Sequence, residues 1–268
     1  MMTLGTVGAF GFPDFPPPEV IGLYADAGCS VVQVYRNREK EISAAEITAV
    51  CSRLSVTIES LHAHFGDDLD PSSEDEALRT ATLELYAREA EYCRQLGGRM
   101  MVIHPSPAHA PEGDLDRRYA QFKKSVEDFA RLGERTGVVC AIENMPPYHP
   151  VGDDVKRLVD TIAGAQSEYV QFLLDFGHAH MTCGIVEAIR VSNGHLRHTH
   201  VHDNDGIHDK HKLPYQGTLP WEACGKELHA IGYDGVFMLE VFESADDLRR
   251  LLDDGWKRNI QAILNNGK

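Results

Sequence analysis

The chain has no apolar run approaching the ~20 residues of a membrane span, so a bilayer is not its expected setting. Its six cysteines (Cys29, Cys51, Cys93, Cys140, Cys183 and Cys224) form no CxxC pair. That scatter argues against a thiolate zinc site and a disulfide scaffold, and suits a reducing compartment. The opening MMTLGTVGAFGFPDFPPP lacks a basic stretch followed by a long apolar one. No secretory leader is read there, and a cytoplasmic location is expected. Cations are scarce: 26 Lys and Arg stand against 41 Asp and Glu in 268 residues, a formal charge of −15. A broad nucleic-acid face or an anionic membrane surface is therefore not expected as a partner. A glycine-rich phosphate loop is also missing. The turn after the first apolar run reads GFPDFPPP, with neither GxGxxG nor GxxxxGK.

What remains is a globular composition, 43% hydrophobic and 25% charged, with 14 histidines. Short runs rich in Val, Ile, Leu and aromatics predict strands at Thr6–Phe10, Ser30–Tyr35, Thr57–His62, Met100–His104, Val138–Glu143, Val170–Phe176, Arg197–His202 and Val236–Val241. Amphipathic helices lie between them. The clearest runs from about Ser73 to Leu96, with Ser73 and Glu76 as a capping box and Gly97–Gly98 as its stop. A final helix carries Leu248, Leu252, Trp256, Ile260 and Leu264 on one stripe, with Ser244 as its N-cap. Eight strands, each followed by a helix, predict an α/β fold: one (β/α)8 TIM barrel spanning residues 1–268. The proline-rich Phe12–Pro18 fits a loop after the first strand.

Ionisable residues collect at the C-terminal ends of the predicted strands, where a barrel places its active site. Glu143, Asp175, His200 and Glu240 end the fifth to eighth strands in turn. Charged groups at a core margin need a partner, and one divalent cation satisfies several together. Three carboxylates and an imidazole suit Mn2+ or Zn2+, with Mg2+ or Co2+ as further options. His62, His104, His178, Asp209 and His211 surround them as candidate additional ligands. Asp209 and His211, two apart, point the same way in an extended loop. His62, His104, His178 and His202 are also candidate substrate contacts, and His149 stands close to the cluster. Phe12, Phe15 and Trp221 are candidates for an apolar wall. Lys210 and Lys212 are candidate phosphate contacts, or are solvated.

The segments HAHF, HPSP, AIENMP, LDFGHAHM, HVHDNDGIHDKHKLPYQGTLPW and LEVF follow one another in this order over nearly the whole chain. In that order they resemble the xylose isomerase-like TIM-barrel superfamily. It includes sugar phosphate isomerases and epimerases, ketohexose 3-epimerases, inosose dehydratases and endonuclease IV. The resemblance implies a metal site of Glu143, Asp175, His200 and Glu240. Glu143 and Glu240 would move the proton, and His178 would contact a substrate oxygen. Two positions depart from the ketohexose epimerases: His149 stands where they carry a second Glu, and Gly206 where they carry an Arg. The nine-ligand trinuclear zinc pattern of endonuclease IV is matched in type by His62, His104, Glu143, Asp175, His178, His200, Asp209, His211 and Glu240. The loop GDDLDPSSEDE lacks the basic and aromatic residues that grip a duplex.

The expected function is that of a metal-dependent sugar, sugar phosphate or inosose isomerase or epimerase. It would abstract a proton beside a carbonyl and pass through an enediolate. The alternative is a zinc-dependent phosphodiesterase of the endonuclease IV type. The expected partners are a small sugar or polyol and, at most, further copies of the chain.

Overall fold

Alternating Val, Ile, Leu and Met segments form eight parallel strands that hydrogen-bond in sequence order and close on themselves. The computed structural model describes residues 1–110 and 113–265. The strands are β1 (Thr3–Phe10), β2 (Val31–Arg36), β3 (Thr57–His62), β4 (Met100–Ile103), β5 (Val139–Glu143), β6 (Val170–Asp175), β7 (Leu196–Val201) and β8 (Val236–Leu239). β8 pairs with β1 and seals the ring. The helices are α1 (Pro17–Asp26), α2 (Ala44–Arg53), α3 (Glu76–Gln95), α4 (Leu115–Thr136), α5 (Val155–Ala163), α6 (Phe176–Met181), α7 (Ile185–Val191), α8 (Trp221–Ala230), α9 (Ala245–Leu251) and α10 (Asp254–Leu264). This is the (β/α)8 barrel that the sequence pattern predicts.

Two predicted helices differ in detail. The cap of α3 is Asp75, whose carboxylate accepts from the Ala77 N–H. Ser73 instead accepts from the Asp75 N–H, one turn too early to start the helix. The predicted last helix is broken at Leu252. Ser244 caps α9 and Asp253 caps α10 by accepting from the Trp256 N–H. Leu248, Trp256, Ile260 and Leu264 are nevertheless all buried against the barrel, since both pieces keep the same apolar stripe inward.

The larger core lies between strands and helices and includes Phe122, Phe129, Phe172 and Phe237, all fully buried. Each such ring contributes roughly 1.5–3 kcal/mol of transfer free energy. A separate apolar cluster joins Met100, Val102, Ala141 and Leu173 from β4, β5 and β6. Residues two apart on a strand share a face. Ala141 therefore puts Glu143 on the same side, and Leu173 does so for Asp175. The apolar cluster thus forms a floor inside the ring, and the carboxylates stand above it at the C-terminal rim.

Two register shifts set that rim. Between Val32 and Gln33 the β2–β3 pairing slips so that Gln33 lies opposite Ser60. Between Phe172 and Leu173 the β6–β7 pairing slips so that Asp175 lies opposite His200. Each bulge re-aims a polar residue at the place where the site forms.

Candidate metal centre

Glu143 ends β5, Asp175 ends β6, His200 lies in β7, and Glu240 follows β8 directly. All four are buried, and one ligand atom from each lies within 4.8 Å of the others. The Nδ1 of His200 is 3.1 Å from Glu143 Oε1 and 3.1 Å from Glu240 Oε2. Its other nitrogen, Nε2, donates to the Gln33 amide oxygen at 2.8 Å, and the Gln33 amide donates to Ser60 Oγ at 3.0 Å. Asn144 joins the ends of β5 and β6. Its side chain accepts from the Asp175 N–H at 2.7 Å and donates to the Asp175 carbonyl at 3.1 Å.

Two further groups flank this one. His62 and His104 converge on Glu143 Oε2 at 3.5 and 3.3 Å. His178, His202, Asp209 and His211 form the other group. The nitrogens of several rings are assigned by their partners. Nδ1–H of His62 donates to the Ala63 carbonyl (2.8 Å), that of His178 to the Asn144 carbonyl (2.8 Å), and that of His211 to the Glu240 carbonyl (3.1 Å). The free Nε2 atoms then face carboxylates: Glu143 for His62, and Asp209 for His178 (3.3 Å) and His211 (3.4 Å). A lone pair aimed at an anion at that range is repulsive unless a proton or a cation lies between. Glu143 Oε2, Asp175 Oδ2, Asp209 Oδ1, His62 Nε2 and His202 Nδ1 are buried without a hydrogen-bond partner among the described residues. Such orphans are costly in a protein interior. The donor set therefore fits divalent cations, with Glu143 shared between two groups.

The electrostatics of the metal-free site agree. Burial opposes ionisation of Glu143, but the charge of His200 and the nearby imidazoles of His104, His200 and His62 outweigh it and hold the carboxyl well below its ordinary value. In Glu240 burial is likewise overcome by His200 and His211, leaving it at about 2. Burial disfavours protonated His178, but Asp175, Asp209 and Glu143 lift it to about 10. His211 rises to about 9, and His200 is also raised well above its ordinary value, each against its burial and through neighbouring carboxylates. Protons thus fill the places that a cation would take.

A cavity of about 400 Å3 opens above the group and is lined in part by His104, Glu143, His149, His178, Asp209 and Glu240. His149 donates Nδ1–H to the Ser106 carbonyl at 2.8 Å, and burial keeps the ring neutral, down to about 4. Tyr35, Phe65, Tyr148 and Phe242 complete the walls. Sequence reading missed these aromatics, although Tyr35 sits at the C-terminal end of β2, where barrel sites are found. It also missed Gln33, whose signal was a polar side chain inside the apolar strand VVQVYR.

Three sequence-predicted contacts are placed elsewhere. Trp221 is buried behind the rim, where its Nε1–H donates to Asp203 Oδ2 at 2.8 Å and its ring stacks on Phe176. It braces the loop after β7 and does not line the cavity. His202 is fully buried, 3.1 Å from Asp175 Oδ1, with its ring stacked on His211 at 3.9 Å. It belongs to the flanking ligand group and not to the substrate wall. His62 also stands behind the wall, whereas His104 and His178 face the cavity. Phe15 packs on the edge of Phe242 and supports that wall from outside.

The sequence that builds this closed barrel matches the family model of the xylose isomerase-like TIM barrel over residues 21–264. The chain belongs to that family. It is 30% identical over 192 residues to the uncharacterized protein MJ1311 of Methanocaldococcus jannaschii, covering 67% of this chain and 63% of that protein. It is 22% identical over 177 residues to L-ribulose-5-phosphate 3-epimerase UlaE of Escherichia coli, covering 65% of this chain and 61% of the epimerase. The chain thus spans less than two thirds of the length of either relative. Among solved structures, a D-tagatose 3-epimerase-like protein superposes with a TM-score of 0.81 at 22% identity, covering 99% of both chains. At that identity the likeness shows the fold. No helix among the described residues is long and apolar enough to cross a membrane.

Proposed function

We propose that the protein is a divalent-metal-dependent isomerase or epimerase of a small polyhydroxy carbonyl compound. One observation carries this reading: Glu143, Asp175, His200 and Glu240 come from four successive strands and offer ligand atoms within 4.8 Å of one another at the base of an open cavity. The epimerase names among the relatives support it. These four residues would hold a divalent ion, which when bound would supply Lewis-acid chemistry to a substrate carbonyl. Glu143 and Glu240 both line the cavity and both stay ionised, so each is ready to accept a proton from carbon. His178 and His104 face the same space and orient substrate hydroxyls. Return of the proton to the opposite face gives the epimer, and its return to the neighbouring carbon gives the aldose–ketose isomer.

Deuterium uptake from heavy water tests the reading. Metal-loaded protein is expected to exchange a carbon-bound hydrogen beside the carbonyl of a keto-sugar or inosose, and Glu240→Gln is expected not to. Lack of exchange across a broad panel overturns it.

A second reading is favoured by the two flanking groups, which with the central one provide three contiguous ligand clusters. That is the arrangement of a multi-zinc phosphoester hydrolase. Elemental analysis of protein purified without chelator separates the two: close to one ion per chain supports the isomerase, and close to three supports the hydrolase.

A further inference from the structure

In barrels of this kind a substrate phosphate is commonly received after strands 7 and 8, on loop N–H groups and the start of a short helix. Here an internal anion already occupies the loop after β7. The Asp203 carboxylate accepts the backbone N–H groups of Asn204 (2.9 Å), Tyr215 (3.0 Å) and Leu219 (3.1 Å), together with the indole N–H of Trp221 (2.8 Å). Asp203 is fully buried, so these donors are sealed from any ligand. After β8, the start of α9 is capped by Ser244 and carries Asp246 and Asp247 in its first turn. The start of α6 is capped by Asp175 itself, which accepts from the His178 N–H at 2.7 Å.

Four side-chain cations around the rim are also engaged. Arg36 binds Glu89 at 2.5 Å, Arg38 binds Asp68 through two bonds, Lys210 binds Asp205 at 2.7 Å, and Lys212 binds Glu243 at 3.3 Å. No Lys or Arg is among the described residues lining the cavity, whereas Asp67 is. The wall that is left is aromatic, with Tyr35 ring centroids 5.9 Å from Phe65 and 6.0 Å from Phe242. Such faces pack against the C–H side of a neutral ring or chain.

We infer that the substrate carries no phosphate: it is an uncharged sugar or polyol whose carbon skeleton lies on the Tyr35–Phe65–Phe242 wall and whose oxygens face the ligand cluster. This rests on the isomerase reading. A phosphate dianion would meet the carboxylates of Asp67, Glu143, Asp209 and Glu240 in the cavity wall, with no arginine fork or lysine among the described lining residues to receive it.

The test pairs each candidate ketose with its phosphate ester, using protein loaded with one equivalent of Mn2+. Deuterium exchange with the free ketose is expected to exceed that with the ester by about 100-fold or more in kcat/KM, the scale set by missing charged contacts. Asp67→Lys is expected to raise the ratio of the ester's kcat/KM to that of the free ketose several-fold, by supplying one such contact. Preference for the ester, or an ester indifferent to Asp67→Lys, overturns the inference. Calorimetric titration with inorganic phosphate gives a readout independent of turnover. Binding weaker than about 10 mM supports the inference, and a Kd below about 1 mM in metal-free or loaded protein overturns it. If no compound exchanges a proton, the isomerase reading fails, and the phosphate titration still decides the character of the cavity.

Discussion

The Nε2 proton of His200 is held by the Gln33 amide oxygen at 2.8 Å, which leaves Nδ1 aimed between Glu143 and Glu240. Gln33 is in turn held by Ser60. Outer partners of this kind fix the ring of a liganding histidine, and their loss typically costs about 10–100-fold in metal affinity. Gln33→Leu is expected to weaken the metal by that amount in a chelator-competition assay. Gln33→Glu keeps an acceptor at the same place and is expected to retain most of the affinity. Equal affinities for Gln33→Leu and the parent would show that the ring is held by other contacts.

In the proposed mechanism Glu143 and Glu240 carry both roles, ligand and base. Glu143→Gln is expected to cut isotope exchange by at least about 1000-fold, the combined scale of general-base and metal losses. His62→Ala separates the two functional readings. The Nε2 of His62 faces the Glu143 oxygen that points away from His200. Exchange by a one-metal isomerase is expected to fall less than about tenfold, whereas a three-metal hydrolase would lose a ligand and most of its activity.

Gly177 has no room for a side chain. A Cβ there would stand 1.9 Å from His202 Cε1. Gly177→Ala is therefore expected to push the His202 ring off Asp175 and out of its stack on His211. The cost in stability is about 1–3 kcal/mol, typical of overpacking. Thermal unfolding would show it, and a zinc titration would show a weakened flanking site with the central one preserved.

The metal-free site predicts a distinct pH profile. His178, His211 and His200 have raised values in the fold and about 6.5 when unfolded. Their stabilisation is full below about 6.5 and is lost as pH rises through about 9 and 10. Glu240, lowered to about 2, and Glu143, also held well below its ordinary value, stabilise above about 4.5 and lose this as pH falls through the lowered values. His149, kept neutral down to about 4, adds stability above about 6.5 that fades as pH falls toward 4. Unfolding temperatures measured in chelator are thus expected to decline from pH 6.5 to 10. Metal is expected to reverse that decline, since binding at neutral pH expels the imidazole protons. A flat profile in chelator would contradict the electrostatic account.

The barrel was legible because its signal is repetitive: eight apolar runs, each followed by an amphipathic stretch. The ligands were legible because a carboxylate or imidazole at the end of an apolar run stands out from its surroundings. Roles that depend on rotation about a side-chain bond were not. His202 and His200 are two apart and carry the same ring, but one turns behind the rim and the other into its centre. Trp221 was expected to face a ligand, yet the indole N–H found a buried carboxylate, Asp203, 18 positions earlier. The break at Leu252 was hidden because an aspartate two helical turns into an amphipathic pattern reads as a polar-face residue until it caps. Gln33 acts across 167 positions of sequence, and no local pattern reports such a pairing.

Glu240 follows the strand that seals the ring, while Glu143, Asp175 and His200 precede it. A chain emerging from the ribosome can therefore display three of the four grips long before the last is made. On the proposed metal reading, full coordination exists only after the cylinder has shut, and a protein truncated before Val236 is expected to hold a divalent ion more weakly than the whole chain.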